Sequence, residues 1–140
     1  MVIVNYWAVI VGAVVSFVLG GLWYGPIFGK KWMAMMKFTP ESMASAKAKG
    51  MGKSYAMMFI GSLVMSYVLF HFIAYAVGFS QQGGAMVGAV GGFWAWLGFI
   101  VPVTMGSVLW EGRSWSLWII NAGYYLVGLV LVGAILAAWM

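Results

Sequence analysis

Four long apolar runs, separated by short polar spacers, are the feature that most constrains this sequence. They cover residues 4–25, 54–78, 84–110 and 115–139, and their apolar residues do not alternate with polar ones. A helix needs about 20 residues to cross about 30 Å of hydrocarbon, whereas a membrane barrel needs short alternating strands. The runs therefore predict one all-α domain, 1–140, with four transmembrane helices.

The composition predicts a polytopic integral membrane protein and argues against a soluble domain and a nucleic-acid-binding protein. Hydrophobic residues make up 65% of the chain and charged residues 6%, whereas a soluble domain carries about 25% charged residues. The net charge of +5 does not predict a nucleic-acid partner, because the basic residues lie in spacers and not across one face. We expect membrane lipids as partners, and the absence of cysteine removes disulfides and thiolate chemistry.

The spacers predict how the chain is oriented. The spacer 79–83 carries no charge and the spacer 111–114 contains Arg113, whereas the spacer 26–53 contains Lys30, Lys31, Lys37, Lys47, Lys49 and Lys53. Since basic loops remain on the cytoplasmic side, we expect 26–53 and 111–114 in the cytoplasm and both termini outside. The predicted location is the bacterial inner membrane.

The basic spacer 26–53 also predicts local structure. Thr39 before Pro40 is a typical helix start, and Gly50 is typical of the position after a helix. The segment before it, 30–38, mixes lysines with aromatic residues and methionine, which predicts a short amphipathic stretch at the membrane interface. The residues expected to contact anionic lipid there are Lys30, Lys31 and Lys37.

Small residues recur every four positions on two of the predicted helices. Because helices in lipid associate through close packing of small residues, these stripes predict packing faces. They comprise Ala8, Gly12, Ser16 and Gly20 on the first helix and Gly84, Gly88 and Gly92 on the third. The stripes could pair with each other or across a homo-oligomer, for which a dimer is favoured.

Polar side chains inside the apolar runs are candidate site residues, because such groups are costly in hydrocarbon. One set lies near the predicted inner surface, beside a kink expected at Pro102. We interpret it as a polar cavity lined by Asn121, Tyr124, Thr104, Ser107 and Glu111.

A second polar set surrounds the single histidine of the chain. Tyr67, His71 and Tyr75 are four residues apart and form one stripe on the outer half of the second predicted helix. The stripe could meet protein, lipid or a ligand, and we expect protein. His71 is also a weak candidate for an axial ligand in haem or pigment binding.

The sequence lacks the side chains that a catalytic site would need, so we predict no enzyme. One histidine and two acidic residues do not supply a metal site, and no nucleophile has a base at a comparable depth. A carboxylate in mid-membrane, as proton-coupled transporters need, is also absent. We therefore predict no catalytic residue, no metal and no cofactor.

Two stretches resemble a known family. VNYWAVIVGAVVSFVLGGLWYGPIFGKKWM at the start and FWAWLGFIVPVTMGSVLWEGRSWSLWIINAGYYLVGLVLVGAILAAW at the end are similar to the bacterial membrane family catalogued as domain of unknown function 1761. The resemblance implies a four-helix fold with a helical first loop, and it supplies no activity. The matching positions are Trp23, Tyr24, Pro26, Gly29, Trp32, Pro102, Glu111, Arg113, Asn121 and Tyr124.

These observations support a leading function hypothesis and two alternatives. The leading hypothesis is a non-enzymatic homo-oligomer that binds or passes a small solute or lipid in the polar cavity. In the first alternative, the chain is a structural or accessory subunit of a larger membrane complex. The second is haem or pigment binding through His71.

Overall fold

The computed structural model describes residues 2–140, and its regular structure there is entirely helical. Four of the helices are long and apolar enough to cross a membrane, which confirms the predicted fold class. The predicted runs lie within two residues of these four helices. The helices are α1 Tyr6–Ile27, α2 Gly29–Met35, α3 Pro40–Lys49, α4 Gly52–Ser80, α5 Ala85–Leu109 and α6 Trp115–Ala138.

The connections between the long helices collect at two ends of the bundle. We call the end that contains residues 28–51 and 110–114 the basic end, and the end that contains residues 2–5, 81–84 and 139–140 the neutral end. At the basic end the Ser114 hydroxyl lies 3.8 Å from the Met35 sulfur. At the neutral end the Asn5 amide donates to the Trp139 carbonyl at 3.2 Å. The two chain termini therefore lie together.

Local capping explains where several helices begin. The Asn5 side chain accepts a hydrogen bond from the backbone of Ala8, and Ser114 accepts one from Leu117. Thr39 caps α3 through a reciprocal capping box, and Gly50 follows α3 with a φ of +82°. The helix predicted between Thr39 and Gly50 is present.

α6 is the centre of the bundle, because α1, α4 and α5 all pack against it. In the most apolar window of each helix, 44% of the residues are buried in α6 but only 11% in α5. α5 therefore exposes most of its surface, and its position depends on α6. The core between the helices consists of Ala8, Val9, Leu69, Phe70, Ile73, Leu129, Val132, Leu136 and Ala137.

The predicted small-residue stripes pack inside the chain, against different helices. On α5, a Cβ added to Gly88 or Gly92 would overlap backbone carbonyls of α6, so the two backbones touch there. On α1, a Cβ at Gly12 would lie 2.6 Å from the Ser66 hydroxyl of α4, and one at Gly20 would lie 3.2 Å from the Tyr124 hydroxyl. The stripes do not pair with each other.

Gly84 corrects one element of the predicted stripe on α5. It lies before the helix with a φ of +94°, and a Cβ at this position would contact nothing. Its role is to let the chain turn from α4 into α5, since this backbone conformation favours glycine. Close packing on α5 therefore begins at Gly88.

Candidate functional site

Side chains of α1 and α5 donate hydrogen bonds to three consecutive residues of α6. The Trp23 indole donates to the Ile120 carbonyl at 2.9 Å, and the Trp96 indole donates to the Ala122 carbonyl at 2.8 Å. Between them, the Tyr24 hydroxyl donates to the Asn121 side chain at 2.9 Å. We call this set the α6 belt; its members are Trp23, Tyr24, Trp96, Ile120, Asn121 and Ala122.

Two wide helical turns place the tryptophans of the α6 belt. Trp23–Ile27 in α1 and Trp96–Ile100 in α5 each form a π-helical turn. In both, the next residue donates its backbone N–H to the carbonyl of the tryptophan five positions earlier. Such turns are rare and recur at functional sites. Both have the sequence W-x-G-x-I, a repeat that could have been found in the sequence and was missed.

Prolines explain why the helices widen at these positions. Pro26 lies inside the first wide turn, and Pro102 follows the second. A proline has no N–H to donate, and its ring clashes with the carbonyl four residues earlier. A wider turn moves that carbonyl away from the ring. The kink expected at Pro102 therefore takes the form of a π-helical turn directly before it.

A second hydrogen bond joins α1 and α6 deeper in the bundle. The Tyr124 hydroxyl donates to the Ser16 carbonyl at 3.0 Å and lies 3.4 Å from the Ser16 hydroxyl. Tyr124 is buried, and its ring packs against Tyr24 with 5.5 Å between the ring centroids. Tyr124 therefore extends the contact of the α6 belt toward the core.

The polar residues of α5 form a separate set. The Thr104 hydroxyl donates to the Ile100 carbonyl at 2.7 Å and accepts from the Trp118 indole at 3.0 Å, while Ser107 donates to the Thr104 carbonyl at 2.8 Å. Glu111 is exposed in the turn after α5. Thr104, Ser107 and Glu111 therefore do not join Asn121 and Tyr124 in one cluster.

Four of the five residues predicted to line a polar cavity take part in hydrogen bonds within the chain. The Asn121 side-chain oxygen and the hydroxyls of Tyr124, Thr104 and Ser107 are the atoms that bond there. Within residues 2–140, every fully buried side-chain nitrogen or oxygen has a hydrogen-bond partner. Two surface grooves in this part of the chain are lined by other residues.

The larger groove lies at the neutral end. We call it the terminal groove; it has a volume of about 930 Å³ and opens to the surface between the chain termini and α4. Its walls are mainly apolar, and Asn5 and Tyr75 add polar groups. The lining includes Val2, Asn5, Phe70, Ala74, Tyr75 and Trp139.

The stripe around the single histidine faces outward. Tyr67 and Tyr75 are 42% and 66% exposed, and His71 is partly exposed. The His71 ring bonds within its own helix, through Nδ1 to the Tyr67 carbonyl at 2.9 Å. Within residues 2–140, no side chain of α1, α5 or α6 bonds to this stripe, and the nearest ring contact with another helix is that of the neighbouring Phe72 with Phe99 of α5. A smaller groove of about 330 Å³ runs along the stripe.

Aromatic rings connect α2 and the turn after it to Tyr24 of the α6 belt. Trp32 of α2 packs on Tyr24 with 5.3 Å between centroids, and Phe38 packs on Trp32 at 5.5 Å. The chain turns back after α2 at Lys37, which has a φ of +57°. All three lysines predicted to contact anionic lipid are exposed: Lys30, Lys31 and Lys37.

The residues that carry the family resemblance converge at this site. Trp23, Tyr24 and Asn121 belong to the α6 belt, and Trp32 and Tyr124 pack against Tyr24. Gly29 lies behind Tyr24, where a Cβ would be 2.6 Å from the Tyr24 carbonyl. Most of these positions thus hold α1, α2 and α6 together.

Comparisons with known proteins add no chemistry to this site. The family model described as a protein of unknown function, DUF1761, matches residues 7–137. No curated protein and no solved structure matches this chain. Within residues 2–140, no three histidine, cysteine, aspartate or glutamate side chains converge as metal ligands.

Proposed function

Because this chain belongs to the DUF1761 family, whose description carries no activity, we propose its function from its geometry. The protein is a non-enzymatic membrane protein that binds a lipid in the terminal groove. The observation that carries this proposal is the groove itself, with about 930 Å³ of space between apolar walls. Binding sites for small molecules have volumes of about 300–1,000 Å³ and mostly apolar linings.

The shape of the terminal groove favours a lipid over a water-soluble solute. Phe70, Ala74 and Trp139 offer apolar walls to an acyl chain, and Tyr75 is 66% exposed at the margin. A tyrosine hydroxyl there can bond to the ester or head group of a lipid, since tyrosine is suited to the boundary between hydrocarbon and water.

The residues of the predicted polar cavity have a different role in this proposal. Asn121, Tyr124 and Thr104 bond to other helices or to their own backbone. Interhelical bonds of this kind hold membrane helices together, because the hydrocarbon offers no replacement partner. We therefore assign them to holding the helices together and propose no passage through the bundle.

The proposal includes an orientation in the bacterial inner membrane. All seven basic residues belong to the basic end or the first turn of α4, and basic segments remain cytoplasmic. The terminal groove then opens to the outer leaflet. On the opposite side, α2 lies on the inner leaflet, and Lys30, Lys31 and Lys37 contact anionic head groups.

Two neighbouring alanines of α4 provide a matched test of lipid binding. Ala74 lines the terminal groove, whereas Ala76 is exposed and does not. We expect Ala74→Phe to fill the groove and to lose the phospholipid that wild type and Ala76→Phe retain. The measurement is native mass spectrometry after incubation with phosphatidylethanolamine vesicles, with far-UV circular dichroism to verify folding. Equal retention by a folded Ala74→Phe variant would refute the proposal.

One observation favours the second candidate, an accessory subunit of a larger membrane complex. α5 has only 11% of its apolar window buried, and Trp94, Phe99 and Val103 are at least 62% exposed. Another membrane protein could pack against this helix. A photo-crosslinking residue at Val103 should then trap one defined partner in native membranes, whereas the same residue at Val18 of α1 should not.

A further inference from the structure

The face of α4 around His71 has polar atoms that no other group in the described part of the chain satisfies. The Tyr67 carbonyl can only accept, so the hydrogen bond at 2.9 Å places the proton of the neutral imidazole on Nδ1. His71 Nε2 is then an acceptor. Within residues 2–140, neither Nε2 nor the hydroxyls of Tyr67 and Tyr75 have a hydrogen-bond partner. The face therefore presents two hydroxyl donors and one acceptor outward.

The depth of Tyr67 and His71 argues against lipid as their partner. The rise from Lys53 to Tyr75 is about 33 Å at 1.5 Å per residue, which is close to the thickness of the hydrocarbon. Tyr75 then lies near the boundary, and the His71 backbone lies about 6 Å inside it. Helical side chains lean toward the N-terminus, which places the imidazole deeper, beside the Tyr67 ring at 4.6 Å. Lipid tails have no group that bonds to it.

We propose that this face is a self-association surface, on which the same face of a second copy of the chain docks through Tyr67, His71 and Tyr75. Around a twofold axis, a tyrosine hydroxyl of each copy donates to the partner subunit's His71. Because the tyrosine donors and the histidine acceptor lie on one face, the same residues can complete the hydrogen bonds of both copies. The groove of about 330 Å³ along Tyr67, His71 and Phe72 provides a recess for a partner's side chain.

The small-residue stripes do not compete for this role. Gly12, Gly88 and Gly92 are already used inside the chain, against α4 and α6. In contrast, Gly61 and Gly78 of α4 have open space where a Cβ would be, so another helix can approach α4 closely. The surface shares only Tyr75 with the terminal groove, so tests at Val64 and His71 are independent of lipid retention.

The absence of cysteine makes the docking face directly testable. Val64 lies two helical turns from His71 on the same face and is 58% exposed; Val18 of α1 and Val103 of α5 are 51% and 74% exposed. After oxidation in native membranes, we expect covalent dimers from Val64→Cys and none from Val18→Cys or Val103→Cys. Absence of dimers at Val64, or dimers from α1 or α5 instead, would overturn the proposal.

Removing the polar atoms tests the chemistry of the same surface. We expect His71→Phe, and the double variant Tyr67→Phe with Tyr75→Phe, to weaken dimerisation roughly three- to tenfold, as for one or two interhelical hydrogen bonds. Energy transfer between labelled copies diluted into vesicles measures this, and Tyr55→Phe near the basic end is the control. Unchanged dimerisation would contradict the bonding, as would a visible absorption band from haem or pigment held between the copies.

Discussion

The hydrogen bond between Tyr24 and Asn121 holds α1 against α6 where lipid offers neither partner a replacement. Its length is 2.9 Å, and it lies between two indole bonds of the α6 belt. An interhelical bond in a membrane contributes about 0.6 kcal/mol on average and up to about 1.7. The bond alone therefore contributes modestly to stability, and the two indole bonds beside it add to the attachment of α6.

At the residue scale, we predict that Tyr24 and Asn121 are energetically coupled. Tyr24→Phe and Asn121→Leu each break the bond, so each should lower the free energy of unfolding by about 0.6–1.7 kcal/mol. The double variant should lose less than the sum of the two, because the bond can be lost only once. Circular dichroism during titration with sodium dodecyl sulfate measures all three. Strictly additive losses would show that the two side chains act independently.

Lipid retention separates this structural role from ligand binding. If Asn121 holds helices together, Asn121→Leu lowers stability and still retains phospholipid while folded. If the folded variant instead lost its lipid, Asn121 would belong to the lipid-binding site.

At the element scale, α5 depends on glycine contacts with one neighbour. Gly88 and Gly92 let the backbone of α5 touch that of α6, where any Cβ would overlap Gly133 or Leu129. The rest of α5 is largely exposed, and the wide turn at Trp96–Ile100 adds the Trp96 indole bond to α6. The glycine contacts, this bond and the bond from Trp118 to Thr104 together hold α5 against α6.

We predict that Gly92→Ala displaces α5, whereas Gly61→Ala does not disturb the fold. Overpacking of this kind costs about 1–3 kcal/mol, because the added methyl group meets the Leu129 backbone, which cannot move aside. At Gly61 there is open space, so the same change should be neutral or slightly stabilising in a helix. Thermal unfolding in one detergent compares the two variants. Equal stability would mean that α5 is not held by backbone contact.

At the scale of the whole molecule, charge is segregated between the two ends. Arg113 and six lysines lie at or beside the basic end, and the loop 81–84 carries no charge. Asn5 and Trp139 bond across the two termini, so the terminal groove and the chain ends share one side. The orientation therefore decides which leaflet the groove faces.

Single cysteines test this orientation. We predict that Gln82→Cys reacts with a membrane-impermeant maleimide in intact cells and that Lys47→Cys reacts only after the membrane is opened, because basic loops remain cytoplasmic. Both residues are exposed in the structure, and the chain has no other cysteine. The reverse labelling pattern would show that the terminal groove faces the inner leaflet.

The sequence by itself determined the class, the number of membrane-length helices and their ends. The class, the helix number and the helix ends depend on local information, such as the length of an apolar run or a cap like Thr39. The distortion of α5 near Pro102 also depends on a single local residue. The glycine spacing also predicted close packing, though not its partners.

Only the tertiary structure decided which side chains face each other. The long helices are apolar on every side, so no polar face indicates how each is rotated. Rotation is determined by backbone contact at Gly88 and Gly92 and by the bonds of the α6 belt. That is why Asn121, predicted to line a cavity, bonds to Tyr24, while His71 lies on a partly exposed face of α4.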